Sequence, residues 1–578
     1  MSMRSLAPLG LVCFLQFSVT AAPAATFTVT NANDSGPGSL RQAIFDANAA
    51  PGADAIAFNI PGAGVHTVSP LSPLLALTDD AGVTIDGYTQ PGASPNALTV
   101  GDNAILLIAL NGALAGTPST GLTLQSSMNL VRGIILGGFD RGLAVRLGSG
   151  NSVKGCFVGT TPSGLSASSN RVGILVAVLN PGIDSINGSV IGGNDPASRN
   201  IISGNSLTGV GIGFGASGAV IAGNYIGTDA TGGAALPNAS DGIALTAAAD
   251  TMIGGSAGGA GNVISGNLDA GINAGLGART VIQGNLIGTN ASGISALPNR
   301  TGISDGQSLG TVIGGTASGA RNIVSGNTGT GILIFVKSER TSVIGNFIGT
   351  DITGRSSLGN GQNGVSIRLL STDVTVGGDA PNVIAYNGAA GVAIGSDPSD
   401  TSAGNRVSGN SIHDNGGLGI DLAGGGVTPN DPGDSDTGPN TLQNYPVLSS
   451  AVSDGISTRV QGTLDSLPAT TFTIEFFTSP SCDSSGNGEG QTFLGETSVT
   501  TDAFGKASFQ VLAPSRSSNW VVTATATDPA GNTSEFSACA GVTFATLPSS
   551  VPTLDATHLL WLALLLAAAG MLILARTR

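Results

Sequence analysis

Apolar residues stand in short pairs along the middle of the chain: Val190-Ile191, Val220-Ile221, Met252-Ile253, Val281-Ile282, Val312-Ile313 and Val343-Ile344, with Val374-Thr375-Val376 after them. The later pairs recur at about 31 residues, and glycine follows each closely. A second set places glycine before Ile or Val at Gly242, Gly271, Gly302, Gly331, Gly364 and Gly391. A third alternates Ile-Gly-Thr with Asn-Val-Ile-Ser-Gly-Asn, as at Asn262 to Asn267. The phrase NYIGTDATG from Asn224 returns as NLIGTNASG from Asn285 and NFIGTDITG from Asn346, an interval of about 61 residues. An active site needs its residues once, whereas a stacked solenoid needs the same turn in layer after layer. The interval therefore reads as two coils of about 30 residues, each with three short strands.

Each strand is rich in Val, Ile and Thr and is bounded by Gly and Asn, which tolerate left-handed turn geometry. Helical periodicity is absent. One such strand cannot bury its apolar face alone, but parallel stacking aligns the aliphatics inside and lets Asn side chains form amide ladders at the corners. The pattern predicts an all-β chain built on a right-handed parallel β-helix. Roughly a dozen coils between Val83 and Val407 make a rod of about 60 Å at about 4.8 Å per coil.

The ends of a solenoid expose unpaired edges and need caps. After the strand TFTVTNAND, Ser39 and Gln42 form a capping-box pattern, and Leu40, Ala43, Ile44 and Ala47 share one face of a short helix. "GSLRQAI" followed by "DAIAFNIPG", with the IGTDATG and NVISGN repeats, resembles bacterial surface proteins of the right-handed β-helix class. The resemblance runs from Thr26 to about Gly424 and implies an extracellular or envelope protein. From Thr441 to about Phe544 the strands lengthen and alternate, which predicts a small Ig-like β-sandwich acting as a spacer or binding module. The expected divisions are signal peptide 1–25, cap 26–80, β-helix 81–428, acidic linker 429–440, sandwich 441–545, linker 546–555, and transmembrane helix with basic tail 556–578.

Composition narrows the class. Of the 578 residues, 41% are hydrophobic but only 10% are charged and 4% aromatic, the reverse of a disordered chain. A net charge of -15 excludes nucleic acid as a partner. Arg4, the apolar run Leu9 to Phe17, and Ala22 and Ala24 make a secretory signal, so the chain is expected at the cell envelope or surface or outside the cell. The stretch from Ala556 to Ala575, followed by Arg576 and Arg578, predicts a membrane-spanning helix with a cytoplasmic end. Val551-Pro552-Thr553-Leu554 followed by that helix resembles the IPTL-CTERM sorting tail. That family implies processing by an exosortase-type membrane protease.

Candidate chemistry is sparse. Asp431, Asp434, Asp436 and Asn440 concentrate oxygen ligands in one Gly/Pro-rich loop, a pattern that suits calcium, with a solvated linker as the alternative. Cys482 and Cys539 bracket the C-terminal segment as a disulfide, while Cys156 reads as a small buried residue. Asp229 and Asp351 read as turn residues, and His413-Asp414 as a turn pair. Poor in clustered carboxylates outside that loop and without a catalytic motif, the sequence favours a displayed adhesin or matrix component that contacts polysaccharide or envelope components. The alternative is a polysaccharide lyase or hydrolase, whose acidic and basic side chains would converge in one groove.

Overall fold

In the computed structural model, which describes residues 24–517, 519–545 and 555–575, the chain winds into coils that carry three parallel sheets. The first sheet has 13 strands, from Thr26–Val29 to Arg406–Ser408. The second has 12, from His66–Val68 to Ser411–His413, and the third has 11, from Thr120–Leu124 to Ile420–Leu422. This is a right-handed parallel β-helix. Register explains the apolar pairs: Ile221, Ile253, Ile282, Ile313 and Val343 stack in one column through successive coils, and all are 0% exposed.

The polar residues of the repeat are equally committed. Asn200, Asn224, Asn262, Asn285, Asn322, Asn346, Asn382 and Asn410 form a ladder beside the second sheet, each amide donating to the next side-chain oxygen at 2.8–3.1 Å. A second ladder, from Asn170 to Asn415, runs along the other edge of that sheet. The Ile-Gly-Thr phrase opens a loop in alternate coils, closed by the bridges Thr228–Ala235, Thr289–Ala296 and Thr350–Ser357. Asp229 accepts the Thr231 hydroxyl at 2.7 Å and Asp351 that of Thr353 at 2.6 Å, so both act inside these turns.

The N-terminal helix Leu40–Ala49 lays Leu40, Ala43, Ile44 and Ala47 on the core. Ser39 Oγ accepts from Gln42 N at 3.2 Å. The return half of the capping box is not made, because Ser39 N–H already donates to the Gly36 carbonyl and the Gln42 side chain turns to Asp46.

At the other end seven strands between Val447 and Phe544 fold over Phe472, Ile474, Phe476 and Phe509 in one continuous hydrogen-bonded order. The C-terminal domain packs directly on the open end of the solenoid. Phe477 and Phe536 join the solenoid's own core. Glu475 accepts the Ser408 hydroxyl and Gly409 N–H at the end of the first sheet. Glu489 Oε1 takes both Asn415 N at 3.1 Å and Asn415 Nδ2 at 3.0 Å, standing where the next asparagine of the ladder would be. Glu535 takes Leu422 N and Thr428 N, each at 2.9 Å, at the end of the third. Ile412 and Gly490 exchange both backbone bonds at 2.9 Å. Each of the three open edges thus meets an acceptor carried by the C-terminal domain.

The expected transmembrane helix is not found: no helix among the described residues is long and apolar enough to cross a membrane. The helix Ala556–Ala575 opens on Thr557 and His558, both bonded to the Asp555 carboxylate. The signal segment up to Pro23 and the motif Val551 to Leu554 lie outside the described residues.

Candidate functional site

Three coils near the N-terminal end bring charges together that lie far apart in sequence. Asp86 ends the strand Val83–Asp86, Arg132 ends Leu130–Arg132 and Lys154 ends Ser152–Lys154. Pairing puts Asp86 opposite Arg132 and Arg132 opposite Lys154, so the three stand in a column about 4.8 Å apart per coil. Arg132 is bonded to Asp86 at 2.6 Å, and its side chain remains 47% exposed. That bond holds the guanidinium charged, against the pull of burial. Lys154 has no ion pair among the described residues.

Tyr88 crosses this column. The Asp86 carboxylate accepts Tyr88 N–H at 3.1 Å and so sets the tight turn that carries the ring. The phenol donates to the Gly155 carbonyl at 2.8 Å, two coils on. Gly133 and Gly155 make the crossing possible. Both have positive φ, and a Cβ would come within 2.9 Å of the ring at Gly133 and 2.5 Å of the hydroxyl at Gly155. Burial, with Cys156 and Asp102 adding to it, pushes the phenol above its ordinary value, so Tyr88 keeps its proton. Cys156 below is fully buried and its thiol is pushed up to about 12, which suits a core residue and not a nucleophile.

Tyr88, Pro95, Leu130, Arg132, Lys154 and Asp195 line a cleft of about 380 Å³. Asp195 is the carboxylate of its lining, Asp86 stands beside it on Arg132, and both are engaged. Asp86 is held as described, while Asp195 caps the turn Pro196–Ser198 through Ser198 N at 3.1 Å and Ser198 Oγ at 2.8 Å. Glycoside hydrolysis asks for a free carboxylic acid and a free carboxylate facing one another. The cleft instead offers two adjacent cations and a protonated phenol.

The residues singled out from the sequence lie elsewhere. Asp431, Asp434 and Asp436 come together, with ligand oxygens within 4.8 Å of one another. Burial, with Asp436 and Asp431 adding to it, pushes Asp434 up to about 6. Asn440 is not with them: its oxygen accepts Asn405 N at 3.0 Å and its amide donates to the carbonyls of Asn405 and Thr533. Cys482 and Cys539 are joined by an S–S bond of 1.96 Å. His413 Nδ1 lies 2.7 Å from Asp414 at the far end of the solenoid, with Tyr386 edge-on at 5.7 Å.

No family model and no curated protein matches the chain. Among solved structures it is similar to the A-module of the Azotobacter vinelandii mannuronan C-5 epimerase, at 12% identity over 70% of this chain and 100% of that one, TM-score 0.39. An alginate lyase from Paenibacillus sp. matches at 13% over 68% and 95%, TM-score 0.20. The catalytic domain of an alpha-1,3-glucanase in complex with nigerose matches at 11% over 68% and 66%, TM-score 0.19. The fold is shared. By title these are polysaccharide-acting proteins, which sides with the alternative reading of the sequence and not with the non-catalytic adhesin or matrix component expected first. At such identity the likeness speaks for the fold alone, so an activity has to be argued from the cleft.

Proposed function

We propose that the chain is a polysaccharide-active β-helix enzyme of the lyase type, working on an acidic polysaccharide at the cleft of Tyr88, Arg132 and Lys154. The reading is carried by the register that sets Arg132 and Lys154 side by side on adjacent coils above Tyr88. A uronate carboxylate held by Arg132 loses the charge that opposes removal of its neighbouring C5 proton. Lys154 in its neutral form takes that proton, the C4–O bond breaks as a C4=C5 double bond forms, and a water supplies the proton to the departing oxygen, while the Tyr88 hydroxyl stays on the Gly155 carbonyl. Hydrolysis is the weaker reading because Asp86 and Asp195 are both occupied. The test is release of unsaturated ends from polygalacturonate and alginate, followed by ultraviolet absorbance. Arg132→Ala is expected to lose roughly 100-fold or more in kcat/KM. Its melting temperature should hardly move, since the side chain is half exposed. No unsaturated product from any acidic polysaccharide, or full activity in Arg132→Ala, would sink the proposal.

We also propose calcium at Asp431, Asp434 and Asp436. The convergence of the three carboxylates and the buried, unpartnered Asp436 Oδ1 support it. The metal needs Asp434 ionised, so affinity should rise with pH through about 6. Added calcium is expected to raise the melting temperature by a few degrees at pH 7.5 and little at pH 5; equal shifts, or none at either pH, count against the site. An exported location is supported by the Cys482–Cys539 bond, which persists in oxidising compartments.

A further inference from the structure

A second cluster of charges lies at the corner between the second and third sheets, on the same coils as the cleft above. Arg141 begins the strand Arg141–Val145, and it pairs with Thr120 on the coil before and Val172 on the coil after. The preceding residues, Ser119, Asp140 and Arg171, therefore stack at one corner. Asp140 is shared by two guanidiniums: its Oδ2 meets Arg141 Nη1 at 2.8 Å and its Oδ1 meets Arg171 Nε at 2.5 Å. Arg146, at the end of the same strand, donates to the Ala177 carbonyl at 3.1 Å. Burial and then repulsion from Arg141 press its charge below the ordinary value. No other carboxylate pairs with these arginines among the described residues, so one acid faces three cations in a chain of net charge -15.

The corner asks for an anion. Arg141, whose buried Nε has no acceptor, stands outside the lining of the cleft and adds to the positive charge beside it. Arg171 is 49% exposed and stands on the wall of a cleft of about 420 Å³, with Ser119, Asp140, Ser169, Asn170 and Ser206. We infer that this cleft is a second anion-binding site, taking a sugar carboxylate on the free edge of the Arg171 guanidinium. The planar fork of an arginine matches the two oxygens of a carboxylate, and the hydroxyls of Ser169 and Ser206 offer partners to ring hydroxyls. Holding a polymer beside the reacting cleft without changing it raises the local concentration of substrate. The choice of a uronate rests on the proposed function; the anion site itself does not.

The test is calorimetric titration of the full chain with digalacturonate, beside its methyl ester. Two equivalents are expected for the wild type and none for the ester. Arg171→Ala should remove one equivalent and Arg132→Ala the other. Arg171→Lys, which keeps the charge and loses the fork, should bind roughly tenfold more weakly at the corner. One equivalent that vanishes only in Arg132→Ala overturns this inference and leaves the proposed function standing. One that vanishes only in Arg171→Ala supports the corner site and counts against the cleft of Arg132. Absence of saturable binding, or an Arg171→Ala protein indistinguishable from wild type, overturns the inference; melting curves of each variant confirm that it folds.

Discussion

Asn322→Ala is expected to lower the unfolding free energy by on the order of 4 kcal/mol, read as a shift of the urea midpoint at unchanged slope. The side chain is 0% exposed and sits in the middle of the ladder. Its oxygen accepts both the backbone and the side-chain nitrogen of Asn285 at 3.0 Å. Its amide donates to the Ile282 carbonyl at 2.8 Å and to Asn346 at 3.0 Å. Alanine removes all four bonds where bulk water does not reach, and each orphaned group costs about 1–3 kcal/mol, offset in part if one water enters the gap. Asn290→Ala is the control. That residue belongs to the repeat phrase too, but it turns an exposed loop and should cost less than about 1 kcal/mol. Equal losses for the two would mean that the ladder is ornamental.

Stability of the junction with the C-terminal domain should fall as pH rises from 5 to 8. Burial pushes Glu489 and Glu535 each up to about 7, and raises Glu475 as well. The carboxylates that face them add to the effect, Asp483 on Glu489, Asp421 on Glu535 and Glu496 on Glu475; Arg406 and the hydrogen bonds from Ser408, Gly409, Asn415, Leu422 and Thr428 oppose it. Asp414, beside Asn415, contributes a backbone bond that favours the charged form of Glu489. A folded value above the unfolded one means that the fold prefers the proton. The contribution is therefore complete below about 4.5 and is lost as pH climbs through about 7. Two such groups amount to several kcal/mol, on the order of 3 each. Calorimetric melting across pH checks this, and Glu489→Gln with Glu535→Gln should flatten the slope between pH 5 and 8. A wild-type curve that rises over that interval would contradict the assignment.

The β-helix was legible in the sequence because its coils repeat: Val281-Ile282 and Asn285 meet the same neighbours in every layer, so a local pattern reports a global contact. The cleft lacks that property. Asp86 and Arg132 are 46 residues apart, separated by excursions that hold the 3-10 turns at Gly87–Thr89 and Gly112–Leu114, and irregular coils give no period from which to read the pairing. Tyr88 follows Gly87, but the glycines that let its ring pass, Gly133 and Gly155, are neighbours only in space. Glu475 was a visible anomaly, a charge between Ile474 and Phe476 in an otherwise apolar strand, but nothing local names its partner. Asp431, Asp434 and Asp436 were readable as a group because one loop spans them. Asn440 does not stand with them, since its oxygen is taken by the backbone of Asn405, 35 positions away.

The two closed ends also determine what the molecule is as a polymer. An open parallel coil presents an upper edge that fits the lower edge of an identical coil, and such head-to-tail contacts never close on themselves. Rods left open would join into filaments whose length followed concentration. With a helix over one terminus and three glutamates answering the last strands at the other, elongation is terminated within the chain, and the length of the rod is written in the gene.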